Sequence, residues 1–415
     1  MDPLNHGFDV VWRLLTEALS LIPFKPPAKA AEIDRSSFKT NYQYVFVSGF
    51  WSWGTYKKCY DKSPYWGFWT GENYVKSFNA SGIPFVAADV SPLGSAWDRA
   101  CELYAQLTGT VVDYGRAHSE KFHHTRYGED YTGRGLLKEW DSVNKINIIC
   151  HSFGGPTSAL FATLLDEGSE EERAATPDGS LSPLFEGGRG DWIHSITGIA
   201  GAYNGTSLVV GKQSIEATEQ YLKELLPLSG IDPLFKALQK VANYFETLTD
   251  GKTPDPDTGL YDMVPDNSVE LNKTIKTVKN IYYFTVPCCT TKLSVKKDAQ
   301  IPDMKITDGF FWLFCEIIGM VDMTTPGGIR LGDDWQVNDG LVNTVSEYGP
   351  ANEEKTFLHT PASKKVAEYK LNKGYYYVLE TYRGSHNSLC GGTIRPNRPA
   401  KNYLLGIIEM INSLE

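Results

Sequence analysis

The chain has 415 residues, more than one compact domain usually needs, but a length that large α/β folds with insertions reach. Its hydrophobic fraction of 41% supplies a sizeable core. The net charge of -10, with no long Lys/Arg run, argues against nucleic acid as a partner, and no window of about 18 apolar residues predicts a transmembrane helix. In chain order, Phe8, Val11, Leu15, Leu19 and Ile22 recur at helical spacing and Pro23 ends the run. This predicts an N-terminal amphipathic helix on the domain surface. Asp2, Asp9, Arg13 and Glu17 interrupt the stretch, so it does not read as a signal peptide. Residues 24–41 lack apolar periodicity and read as a connector, which sets 1–43 apart from a main domain over 44–415.

Short apolar runs at 44–48, 84–88 and 146–150 predict buried strands, with further strands at 193–199, 281–286 and 375–379. Helical patterns at 92–108, 156–166, 213–246 and 402–413 separate several of them. The alternation predicts an α/β fold, with a mostly parallel central sheet covered by helices on both faces. Residues 168–191 and 249–259 read as surface loops. The seven cysteines are odd in number and scattered, so they form neither a disulfide framework nor a zinc CxxC pair. They read as buried thiols, the adjacent Cys288 and Cys289 included.

One segment carries chemistry. Asn147-Ile148-Ile149-Cys150-His151-Ser152-Phe153-Gly154-Gly155 puts a serine between an apolar strand and a helix. This is the context of the G-x-S-x-G nucleophile elbow of α/β-hydrolases. The turn is strained, so residues two away from the serine must be small. Gly154 meets that demand, and Cys150 replaces the first glycine. Ser152 is the expected nucleophile, and the Phe153 N–H at the following helix start is an expected oxyanion donor. The loop Ser48-Gly49-Phe50-Trp51-Ser52-Trp53-Gly54 after the first strand offers the second donor, with the Phe50 N–H preferred.

A serine needs a base, and the base needs an orienting acid. His386 lies in a small polar loop between the last predicted strand and the final helix, where this fold carries its histidine. His359 stands among Phe357, Leu358 and Pro361 and reads as structural. His194 falls within a predicted strand. Asp339, in the tight turn Asn338-Asp339-Gly340, is the preferred acid, with Asp333 and Asp334 as competitors.

Several blocks together resemble the staphylococcal and Geobacillus-type bacterial lipases. They are Ser-Gly-Phe-Trp-Ser-Trp-Gly at 48–54, the run from Pro92 to Leu107, Val-Asp-Tyr-Gly-Arg-Ala-His at 112–118 and Ile-Ile-Cys-His-Ser-Phe-Gly-Gly at 148–155. Ser-Pro-Leu-Phe-Glu-Gly-Gly at 182–188 and Asn-Asp-Gly-Leu-Val-Asn-Thr at 338–344 complete the set. The resemblance supports Ser152, Asp339 and His386 as a triad, with Phe50 and Phe153 as oxyanion donors. Phe153 departs from the family's usual Gln.

The resemblance also implies a structural zinc ion held by Asp98, His118, His124 and Asp262, with His123 as the alternative to His124. Two carboxylates and two imidazoles make a closed tetrahedral shell. They would staple an insertion at about 55–130 to the region of Asp262. No calcium site is expected after His386, because residues 387–393 contain no carboxylate.

Residues 206–246 include Leu222, Leu225, Leu226, Leu234, Phe235 and Leu238, partly at helical spacing. They read either as core helices or, by their position in the family, as a hydrophobic lid. The expected activity is hydrolysis of acylglycerols or other apolar esters at a lipid–water or polymer surface. A polyester hydrolase or short-chain esterase is the alternative, and a non-catalytic lipid-binding protein is the reading from another class. Secretion is implied by the family alone, and the oligomeric state is not readable from the chain.

Overall fold

The computed structural model describes residues 29–30, 32–67, 70–210, 255–295, 299–392 and 400–415. The expected N-terminal helix, the helical pattern at 213–246 and nearly all of the expected lid lie outside the described residues.

Seven strands form the central sheet: β1 (Gln43–Val47), β2 (Phe85–Ala87), β3 (Ile146–His151), β4 (Ile193–Ile199), β5 (Tyr282–Val286), β6 (Lys355–Phe357) and β7 (Tyr376–Val378). Their order is β6-β7-β5-β4-β3-β1-β2, and every pairing is parallel. In β3 and β4 every residue is buried, as a parallel sheet with both faces covered requires.

The two-residue period of the strands sorts the core. Val45 and Val47 face one side, with the helices α2 (Ala96–Thr108) and α4 (Gly154–Glu167). Tyr44 and Phe46 face the other, with α1 (Tyr74–Ala80) and the C-terminal α5 (Ala400–Asn412). On that side Phe46 stacks on Trp66 with ring centroids 4.0 Å apart. An antiparallel ribbon, Val111–Asp113 with Tyr127–Asp130, follows α2 in the chain and carries α3 (Arg116–Phe122) between its strands. All seven cysteines are buried and free.

The structure adds one strand and corrects one expected loop. The edge strand β6 has no apolar alternation, since Thr356 and Phe357 are both exposed, and so it left no pattern to read. Residues 168–191 are not one long loop. They hold the short helices Glu170–Ala175 and Pro183–Glu186, started by the side-chain caps Ser169 and Ser182.

Because the strands are parallel, their carboxyl ends share one edge of the sheet. The loops after β1, β3 and β7 meet there, and that edge carries the site.

Candidate active site

Ser152 sits between the end of β3 and the start of α4 with φ of +58°, in the left-handed region that a serine rarely occupies. The turn works only because its surroundings are small. A Cβ on Gly154 would stand 2.6 Å from the Val47 carbonyl oxygen, and one on Gly49 would stand 2.5 Å from Ser152 Cβ. Cys150 fits the first glycine position by pointing into the core, with its Sγ 3.5 Å from the Thr197 carbonyl oxygen. Burial pushes its thiol up to about 12, so it stays neutral.

His386 and Asp339 meet directly. His386 Nδ1 is 2.6 Å from Asp339 Oδ2, and the His386 backbone N–H donates to the Asp339 carbonyl at 2.9 Å. Asp339 Oδ1 accepts the N–H groups of Leu341 (3.0 Å) and Val342 (2.9 Å), so the turn itself orients the carboxylate. Gly340 adopts φ of +103°, which explains the glycine beside the acid. With Asp339 holding Nδ1, the Nε2 of His386 is the nitrogen left for a substrate-side proton. Ser152 and His386 line one cavity of about 270 Å³, whose walls include Trp53, Met263, Phe311, Phe314, Leu341 and Val342. Phe50 lines it too, while Phe153 is fully buried at the start of α4.

The competing residues stand apart. Asp333 and Asp334 begin the one-turn helix Asp333–Gln336. His194 is buried in β4 against Asn147 Oδ1 at 2.9 Å. His359 adopts φ of +49° beside Phe357.

Two supporting groups were not anticipated. Arg99 is fully buried in α2 and donates to the carbonyls of Ser48, Gly49 and Ser91 and, at 3.0 Å, to Thr157 Oγ1. It thereby clamps the loop after β1 against the elbow helix. Burial lowers its guanidinium to about 10, still charged at neutral pH. His151, beside Ser152, has Nε2 2.9 Å from the His386 carbonyl oxygen and Nδ1 2.7 Å from Tyr65 Oη. Since a carbonyl only accepts, Nε2 carries the proton and Tyr65 donates to Nδ1. Burial, with His386 nearby, holds this imidazole well below its ordinary range. Both residues lie inside the sequence blocks that carry the resemblance, and burial is the signal that a sequence lacks.

A second cluster lies where α2, α3 and the loop before the one-turn helix Gly259–Asp262 converge. Asp98, His118, His124 and Asp257 could hold a metal ion, with one ligand atom from each lying within 4.8 Å of the others. His118 Nε2 is 3.1 Å from Asp98 Oδ1 and 3.2 Å from Asp257 Oδ1, and His124 Nε2 is 3.2 Å from Asp257 Oδ2. Trp97 stacks on His118 at 5.2 Å. His124 Nδ1 faces the Thr125 carbonyl oxygen at 2.9 Å and must carry the proton. In the neutral imidazole the buried Nε2 then turns a lone pair, with no donor, toward the Asp257 carboxylate. An acceptor facing an acceptor is the arrangement a cation resolves.

The second carboxylate of this cluster is Asp257, not the expected Asp262. Asp262 Oδ2 is engaged by the Ala96 N–H at 2.7 Å, at the first turn of α2, and burial pushes its carboxyl up to about 7. Asp257 is oriented instead by Ser95 Oγ at 2.8 Å. Its flanking Pro/Asp/Gly-rich sequence reads as solvated loop and gives no sign of a ligand. His123 is the left-handed C-cap of α3 and takes no part in the cluster.

Residues 40–223 match the family described as "Lipase-like, C-terminal domain". The lipase of Staphylococcus hyicus is 30% identical over 390 residues, covering 88% of this chain and 57% of that protein. Among solved structures, EstA from Clostridium botulinum superposes with a TM-score of 0.71 at 25% identity, over 97% of this chain and 98% of that one. Lipase 1 from Pelosinus fermentans gives a TM-score of 0.69 at 29% identity, over 90% and 99%. The chain spans about half the length of the curated relatives it matches, 57% and 47% for two of them. In sequence and in fold, the chain is a homologue of the staphylococcal lipases.

Proposed function

We propose that the protein is a serine ester hydrolase of the lipase/carboxylesterase class. The observation that carries this is the 2.6 Å contact of His386 with Asp339 at the cavity that also holds a left-handed Ser152. Ser152 Oγ attacks the ester carbonyl carbon while His386 Nε2 takes its proton. Asp339 holds the tautomer and stabilises the imidazolium. The Phe50 and Phe153 N–H groups receive the oxyanion. Collapse of the tetrahedral intermediate releases the alcohol, which leaves with the proton from His386. Water then repeats the sequence on the acyl-enzyme and frees the acid.

The apolar walls favour an apolar acyl group, so the proposed substrates are acylglycerols or other apolar esters at a lipid–water or polymer surface. The lid reading of residues 206–246 and secretion rest on the resemblance. Among the described residues no helix is long and apolar enough to cross a membrane. The division at residue 43 and the insertion at 55–130 are proposed as the domain plan.

Asp98, His118, His124 and Asp257 suit a zinc ion, through two carboxylates, two imidazoles and the orphaned His124 Nε2. When bound, the metal supplies cross-linking of the insertion to the main domain, not chemistry on the ester. In the metal-free cluster, Asp257 and Asp98 outweigh desolvation and push the His118 imidazole up to about 9. That bound proton is the positive charge a cation replaces.

An organophosphonate ester tests the central reading. It is expected to label Ser152 and to stop ester hydrolysis, and Ser152→Ala is expected to lower kcat by about 10⁴-fold or more. Hydrolysis by Ser152→Ala at the wild-type rate would sink the proposal.

A further inference from the structure

Beside the His386–Asp339 contact lies a second buried carboxyl group that the proposed chemistry does not use. Glu347 stands in the helical turn Thr344–Tyr348, and neither it nor Asp339 has any solvent exposure. Glu347 Oε2 accepts the Cys288 N–H at 2.5 Å. Its other oxygen, Oε1, is buried without a donor, and Asp339 is the side chain whose carboxyl group bears on that of Glu347. Two carboxylate oxygens cannot bond one another without a proton, and two like charges in one dry site repel strongly. One member of the pair therefore carries a proton. Asp339 has two backbone N–H donors and the imidazole, whereas Glu347 has one backbone donor. The proton therefore belongs on Glu347.

We propose that Glu347 is a positioning residue whose neutral carboxyl donates a hydrogen bond to Asp339, which extends the chain to Glu347–Asp339–His386–Ser152. This rests on the reading of Asp339 as the orienting acid. Burial, reinforced by the Asp339 charge, holds the Glu347 carboxyl well above its ordinary range. The titratable groups that bear on it are Asp339 in its turn, Cys288 and Cys289 on the adjacent short strand, and Tyr348 next in the chain, with His386 beyond Asp339. The short strand Cys288–Cys289 also pairs with Tyr382–Arg383, which leads into the His386 loop. Glu347 thus braces the acid and, through Cys288, the segment that holds the base. Its hydrogen bond restrains the Asp339 carboxylate and draws off part of its charge.

The test compares full-length wild type, Glu347→Gln and Glu347→Leu on a soluble aryl ester from acid to alkaline pH. Rates are expressed per Ser152 labelled by an organophosphonate. Glu347→Leu is expected to lower kcat about tenfold with little change in KM, the worth of one hydrogen bond to a charged group. Gln offers its amide N–H to Asp339 and its carbonyl to Cys288, so it should recover most of that loss. At alkaline pH the wild type should lose kcat as Glu347 gives up its proton, and Glu347→Gln, with no proton there to lose, should not share that limb. Coincident alkaline limbs, or wild-type kcat per labelled site in Glu347→Leu, overturn the inference. If Glu347→Leu does not fold, the comparison of wild type with Glu347→Gln decides alone. Failure to label Ser152 in the wild type overturns the hydrolase reading and this inference with it, whereas labelling with coincident limbs overturns this inference only.

Discussion

A methyl group at Gly49 would stand 2.5 Å from Ser152 Cβ and 3.0 Å from its Oγ. Neither backbone can retreat, since Arg99 ties the Gly49 carbonyl to α2 and the Ser152 N–H is bound to the Ile199 carbonyl in β4. Gly49→Ala should therefore displace the nucleophile, lowering kcat by about 100-fold while the folded circular dichroism spectrum persists. Wild-type kcat in this variant would contradict the geometry. The two aspartates near the metal cluster make a sharper pair. Asp257→Ala should abolish stoichiometric metal in protein purified without added metal. Asp262→Ala should keep the metal and lose about 1 kcal/mol through the uncapped Ala96 N–H. Metal analysis and urea unfolding of both variants check this, and loss of metal from Asp262→Ala alone would make Asp262 the ligand. The sequence exposed Ser152, His386 and Asp339 because each lies in a turn with a required neighbour. It did not separate Asp257 from Asp262, because five residues along a loop decide which carboxylate turns inward.

In β4, His194 shows how a strand couples to pH. It is buried, with Nδ1 2.9 Å from Asn147 Oδ1 of β3. Burial, aided by the nearby Lys373 charge, lowers its imidazole to about 4. The unfolded chain binds this proton below about pH 6.5, and the folded chain binds it only below about pH 4. Between these values the unfolded state holds the extra proton, so stability is present above about 6.5 and is lost as pH falls towards 4. The loss amounts to about 3 kcal/mol at most. His194→Gln should flatten that part of the stability–pH curve in denaturant unfolding at several pH values, and an unchanged slope would count against it. Elements were legible in proportion to their periodicity. The runs in β1, β3, β4 and β5 were readable because both faces are buried and mostly apolar. The edge strand β6 was not, and the helices in 168–191 depend on the caps Ser169 and Ser182 instead.

At the scale of the whole molecule, the sheet edge gathers the elbow, the β1 loop and the His386 loop around one apolar cavity. A series of aryl esters of increasing acyl length measures what that cavity accepts. Rates should rise from acetate to medium-chain esters by about tenfold, since each buried methylene contributes up to about 0.8 kcal/mol. A maximum at acetate would favour the short-chain esterase reading. The proposed metal site belongs to the same scale, because its four side chains come from α2, α3, the segment after α3 and the loop at 257. Removing the metal with a strong chelator should lower Tm by roughly 5–10 °C without changing kcat at low temperature. An unchanged Tm would argue against a structural metal.

What the sequence determined by itself is local: a strand–turn–helix with a serine at its apex, a glycine-flanked aspartate, a histidine in a short polar loop, and apolar runs that demand a covered sheet. These follow from steric limits on a few neighbouring residues. The tertiary structure decided which polar groups lose water together. It buried Arg99 under the β1 loop, set His151 against the His386 carbonyl, gathered Asp257 with Asp98, His118 and His124, and took the Glu347 carboxyl group out of solvent. Each depends on desolvation by segments distant in the chain, which no spacing in the sequence encodes.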